Sequence, residues 1–226
     1  MNSIDSHCQF GRYMNSERRH MINLRSAVPA LAVAAIVLAL AGCTPAPTVL
    51  PDVVVEHTGT SPLDENEWVK AVRASELAIA LAWNSGDFSI ESLGESTSPG
   101  DIDRFYKSYA NEARKERAPI VYSGPSIWAP ISVTPSGDSA DIVACVATQD
   151  RGINAEDPGT DYGLDTGLIW NWTFERLPSG AVARTWNQQT ADECSAEMAE
   201  VLTFDPAPTL PEKINEGDIR APADSD

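Results

Sequence analysis

Carboxylates and tyrosines are the residues of this chain whose types suit proton transfer. Asp101, Asp103, Asp141 or Glu175 could act as a general base, with Tyr106, Tyr109 or Tyr122 donating to a developing oxyanion. Their placement argues against the role. Asp101 and Asp103 suit the start of a helix, while Asp141 and Glu175 alternate with apolar residues and are expected to face solvent. The histidines are His7, His20 and His57, so the chain beyond residue 57 holds no Ser/His/Asp or Cys/His set and no histidine metal site. Asp150, Glu156, Asp157, Asp161 and Asp165 gather oxygens in residues 149–165, but without the regular spacing of a calcium loop. A solvated acidic loop is the expectation there. No phosphate-binding glycine loop and no internal repeat is visible. The chain is therefore read as non-catalytic, with no metal and no cofactor.

The elements that would position these groups follow from periodicity. Ser61-Pro62-Leu63-Asp64-Glu65 has the cap, early proline and acids of a helix start, and Trp68, Val72, Ser75, Ile79 and Trp83 recur at helical spacing. Asn84-Ser85-Gly86-Asp87 ends that helix, with Gly86 suited to a left-handed cap. A short helix from Phe88 to Leu93 and a longer one from about Asp101 to Arg117 are expected next; the latter carries Ile102, Phe105, Tyr106, Tyr109 and Ala113 on one stripe. From Ala118 the period changes to two. Residues 119–122 and 126–133 read as proline-interrupted edge strands, 139–148 as a strand, and 167–176 as the clearest one, with Leu168, Trp170, Trp172 and Phe174 on one side. A further strand covers 181–188. Helices followed by an antiparallel meander define an α+β fold, with N-terminal helices packed on a curved sheet.

Ahead of these elements, Arg18, Arg19 and Arg25 precede an apolar run from Ala27 to Ala41, which ends in Leu40-Ala41-Gly42-Cys43. The run is short for a helix that must cross roughly 30 Å of hydrocarbon, and Thr44-Pro45-Ala46-Pro47 breaks any continuation. This order resembles the signal peptide and lipobox of bacterial lipoproteins. The resemblance implies that residues 1–42 are removed, with Met14 or Met21 as alternative starts, and that Cys43 becomes a lipidated N-terminus. It places the protein at the cell membrane, lipid-anchored on the extracytoplasmic face. Residues 43–60 then form a flexible tether, 61–204 a single domain, and 205–226 a disordered acidic, Pro-rich tail. Removing the leader leaves 31 acidic and 12 basic residues, a net charge of −19. That balance excludes nucleic acid as a partner, since phosphates demand neutralisation by Lys and Arg. With Cys8 in the leader and Cys43 acylated, Cys145 and Cys194 are one pair in an exported domain, where a disulfide is expected.

The order of helix, Asn-Ser-Gly-Asp turn, short helix, helix and strands, with Trp83-Asn84-Ser85-Gly86-Asp87 and Val143-Ala144-Cys145 as local features, is similar to the nuclear transport factor 2-like α+β cone. It is similar in particular to exported actinobacterial lipoproteins carrying that domain. The resemblance implies a pocket inside the cone. Candidate lining residues are Trp128, Trp170, Trp172 and Trp186 with Tyr106 or Tyr109, and Arg184 and Gln188 are expected on the strand face of Trp186. The rings could grip a small apolar or aromatic ligand by stacking, or they could simply fill the core, and core filling is the favoured reading. Functionally, the expectation is a non-catalytic binding or interaction domain with a protein or small-molecule partner. The alternative is a small-ligand carrier, or an enzyme like the isomerases and cyclases that share the cone.

Overall fold

The computed structural model describes residues 48–115, 120–147, 152–153, 163–209 and 213–223. The leader, Cys43 and most of the acidic 149–165 loop lie outside the described residues. What is described is an α+β fold with antiparallel sheets. A four-stranded sheet runs in the order β3 (Trp128–Ser136), β4 (Ser139–Ala147), β6 (Gly167–Arg176), β7 (Val182–Cys194). Helices α1 (Glu67–Ser85), α2 (Glu91–Ser96) and α3 (Pro99–Arg114) precede it. Two-stranded ribbons join β1 (Asp52–His57) to β8 (Val201–Asp205) and β2 (Val121–Tyr122) to β5 (Gly152–Ile153). Among the described residues no helix is long and apolar enough to cross a membrane.

The core lies between α1 and one face of the sheet. Trp68, Val69 and Val72 of the helix meet Ala140, Ile142 and Ala144 of β4 and Trp172 and Phe174 of β6. Prolines 130 and 135 sit in β3, an edge of the sheet, where a missing N–H costs no ladder bond. Helix α1 begins later than the Ser61-Pro62 signal implies. Asn66 is its N-cap, accepting from the Trp68 N–H at 2.9 Å, while Ser61 is buried and donates to the Pro130 carbonyl. Gly86 caps the other end at φ 67°, the left-handed conformation a Cβ disfavours.

Two segments depart from the sequence reading. Residues 52–57, expected within a flexible tether, form β1, pairing Val53 with Phe204 and Val55 with Leu202. Residues 214–220, expected within a disordered tail, are tied down as well. Ile214 and Ile219 pack on the cluster of Phe88, Ile102 and Tyr109, and Arg220 exchanges backbone hydrogen bonds with Gly86 and Phe88. The partners lie well over a hundred positions away in each case, and local composition carries no trace of them.

Arg220 also reaches the buried Asp87, its Nη1 lying 3.0 Å from the carboxylate. Burial opposes ionisation of Asp87, but the Ser89 and Thr48 hydroxyls, the Ser89 N–H and Arg220 outweigh it and hold the pKa below its ordinary 3.8. A depressed carboxylate stabilises the fold above its unfolded pKa, and that contribution is lost as pH falls through the folded value. Asp87→Asn is therefore expected to cost about 2 kcal/mol near neutrality, from buried donors left without their acceptor. The difference in thermal midpoint from wild type should stay constant above about pH 5 and shrink as pH falls below 3.8. A difference that persists undiminished to pH 2.5 (an acid limit chosen about one unit below that value) contradicts the assignment.

Candidate functional site: a cavity walled by Glu76 and Arg184

The first helix carries one acid inside its apolar stripe. Glu76 stands one turn after Val72 and one before Ala80, so the helix that buries those residues turns Glu76 inward. Its two carboxylate oxygens are held by different elements. Oε1 accepts from Arg184 Nη2 of β7 at 3.0 Å, and Oε2 accepts from the indole N–H of Trp128 on β3. Arg73, one turn earlier, adds positive charge but is itself engaged by Asp64 at 2.7 Å and Glu200 at 3.5 Å. Burial pushes the Glu76 pKa above its ordinary value, outweighing the pull of Arg184, Trp128 and Arg73.

Arg184 is as firmly placed. Its guanidinium lies over Trp172 at 5.0 Å and Phe174 at 5.2 Å. Its backbone N–H donates to Asp101 Oδ2, a carboxylate that also takes the Ser98 hydroxyl at the start of α3. The side chain reaches Glu76 with Nη2, and its Nε is buried with no partner in the described structure.

A cavity of about 190 Å³ opens beside this ion pair. Ile79, Ala80 and Trp83 of α1, Phe105 of α3 and Tyr122 of β2 form its apolar and aromatic walls, and Gly124, Ser126, Glu76 and Arg184 complete it. Tyr122 is held there by Asn84, whose amide donates to the Tyr122 carbonyl at 2.8 Å and accepts its N–H at 2.7 Å. The ring of Trp83 is fixed by its indole N–H, which donates to the Ile120 carbonyl. So the Trp83-Asn84-Ser85-Gly86-Asp87 run does four separate jobs: cavity wall, strand clamp, helix cap and the acid that holds Arg220.

The residues expected in a pocket are dispersed. Trp128 and Trp172 pack edge to face at 5.2 Å and belong to the core, with Trp170 packed against the same cluster. Tyr109 is buried between Trp83 and Phe88, and Tyr106 packs on Phe88, so neither lines the cavity. Trp186 is 48 % exposed. Arg184 and Trp186 do not share a face. Arg184 stands opposite Phe174 and Trp186 opposite Thr173, so Thr185 is an extra, bulged residue that reverses the alternation. Trp186, and Gln188 opposite Asn171, thereby face away from the core. Arg184 is the one ring-face candidate that reaches the cavity.

The candidate acids fall into structural roles. Asp101 lies in the first turn of α3, where its N–H donates to the N-cap Ser98 and its carboxylate accepts the Ser98 hydroxyl. Asp103 pairs with the exposed Lys107 at 2.7 Å, Asp141 accepts from Thr173, and Glu175 is exposed. His57 lies on β1 beside the Glu197 carbonyl. Among the described residues no group of three or more His, Cys, Asp or Glu side chains is placed to hold a metal ion. Cys145 and Cys194 are joined by a disulfide, with Cα atoms 5.9 Å apart.

Comparison with protein families, with curated proteins and with solved structures finds no match to this chain.

Proposed function

We propose that the chain is an exported, lipid-anchored binding protein, held at the extracytoplasmic face of the membrane through Cys43. Its folded domain takes a small apolar or aromatic molecule in the Glu76–Arg184 cavity without transforming it. The order of basic residues, apolar run and Leu-Ala-Gly-Cys supports the anchor. Two or more acyl chains supply the stable attachment that one does not. Helices followed by an antiparallel sheet support the cone resemblance.

One observation carries the binding reading: a charge-paired carboxylate, its side chain only 11 % exposed, forms part of the wall of an otherwise largely apolar cavity. Convergent polar groups in a mainly apolar hollow are the usual composition of a ligand site. Size narrows the occupant. A cavity near 150 Å³ accommodates benzene, whereas drug-sized ligands occupy roughly 300–1,000 Å³. At about 190 Å³ this one suits a single ring with short substituents and is too small for a steroid.

Both Glu76 oxygens accept from fixed donors, so the group serves better as an anchor for Arg184 than as a proton acceptor. The raised pKa of Glu76 beside Tyr122 is what favours the second reading, an isomerase-like enzyme with Glu76 as base.

Two measurements test the proposal. In a bacterial host the wild type should partition with membranes and Cys43→Ala should not; an unchanged membrane fraction for the variant ends the anchor. A thermal-shift screen of the full chain with single-ring aromatics should give a saturable rise. At a hundred times the dissociation constant the stabilisation is about 2.7 kcal/mol. A turnover product from any bound ring would favour the enzyme instead.

A further inference from the structure

We infer that the cavity recognises a neutral, planar aromatic ring bearing a carboxamide or lactam edge, an inference that rests on the reading of the cavity as a ligand site. Three features of the ion pair lead there. First, Glu76 spends one bond on each oxygen, and an ionised carboxylate offers about four lone-pair sites. Acceptor capacity therefore remains at the cavity wall. Second, Arg184 lines the cavity with a side chain 27 % exposed and spends one bond, from Nη2, on Glu76. A guanidinium carries five N–H donors in a rigid plane, so donor capacity remains beside the acceptor. Third, Nη2 and Oε1 are 3.0 Å apart, so the second N–H of Nη2 and the second lone pair of Oε1 lie side by side.

An adjacent donor and acceptor are matched by a group that presents an acceptor and a donor on one edge. A primary amide or a ring lactam does so, its C=O toward Arg184 and its N–H toward Glu76. The surrounding walls of Trp83, Phe105 and Tyr122 select a flat ring behind that edge. Charge selects neutrality. Glu76 and Arg184 cancel, and Arg73 is already engaged by Asp64 and Glu200, so a ligand carboxylate would meet Glu76 without a spare cation to offset it. A plain hydrocarbon ring would fill the walls and leave the spare N–H of Arg184 and the spare lone pairs of Glu76 unmatched.

Ligand-observed NMR on the full chain with benzamide, benzoate and toluene separates these possibilities. Benzamide should bind at least about tenfold more tightly than toluene, the size of one hydrogen bond to a charged group. It should exceed benzoate by a similar factor. In Glu76→Gln the preference over benzoate should disappear, because the repelling charge is gone while the ring walls stay. Arg184→Gln should bring benzamide down to the level of toluene. Equal affinity of wild type for benzamide and toluene would overturn the amide inference and leave the cavity reading intact. Tighter binding of benzoate than of benzamide would overturn it in favour of an anion site. Failure of all three rings to bind at about 10 mM, weaker than even the 1 mM reference affinity, would end both the inference and the reading beneath it.

Discussion

Glu76→Ala is expected to lower the unfolding free energy by about 3 kcal/mol, the low end of what removing one partner of a buried ion pair costs. The variant strands two donors together, Arg184 Nη2 and the Trp128 indole N–H. Arg184 is 27 % exposed and can turn toward water, which is why the low end applies. Glu76→Gln keeps an acceptor and should cost roughly 1 kcal/mol. Removing both charges at once, as Glu76→Leu with Arg184→Leu, should recover most of the loss, since apolar replacement of a whole buried pair is often near neutral. Urea denaturation of wild type, Glu76→Leu, Arg184→Leu and the double variant measures this cycle. Additive losses would mean that the pair is not coupled, and the cavity wall described above would be wrong.

Breaking the Cys145–Cys194 bond has the other large expected effect. The bond closes a loop with a sequence separation of 49, which is worth about 4 kcal/mol in the chain-entropy account. For a domain of this size that is a fall in thermal midpoint of roughly 10 °C. Cys145 is 1 % exposed and packs with Ile127, Ala129, Ala199 and Val201, so the link holds the segment after β7 against the sheet. Gly167 shows how tightly the site is fitted: a Cβ there would sit 2.6 Å from Cys145 Sγ and 2.8 Å from the Val146 carbonyl. Cys194→Ala and full reduction of the wild type should give the same lowered midpoint in calorimetry. An unchanged midpoint on reduction would contradict the account.

What local pattern encodes was legible, and what distant pairing decides was not. Trp68, Val72 and Ile79 announce α1 by spacing, Gly86 announces its end, and Ile102, Tyr109 and Ala113 announce α3, whose Ser98-Pro99 start lies two residues before the Asp101 expected. The Leu168 to Glu175 alternation likewise marks β6. By contrast β1 exists because Val53–Val55 find β8, and residues 214–220 are held because Arg220 finds Asp87. Neither segment has a periodicity long enough to reveal this. Within the site, Arg184 was legible and Glu76 was missed. The signal for Glu76 was present as an acid inside the apolar stripe, the position where an unpaired charge is too costly to bury without a partner. Trp186 was misplaced by one residue, Thr185. A single bulge inverts everything beyond it, and no composition rule in a Arg-Thr-Trp run foretells one.

The most direct test of the central claim, that the Glu76–Arg184 cavity is where a ligand binds, reads the tryptophan indole N–H resonances of the full chain. The chain has six tryptophans, and three of them sit differently with respect to the cavity. Trp83 forms its wall, Trp128 donates to Glu76, and Trp186 stands exposed on the far face of the sheet. On titration with benzamide or toluene, the Trp83 and Trp128 signals should shift saturably and the Trp186 signal should stay in place. A saturable shift of Trp186 with Trp83 and Trp128 unmoved would put the binding surface elsewhere and contradict the account.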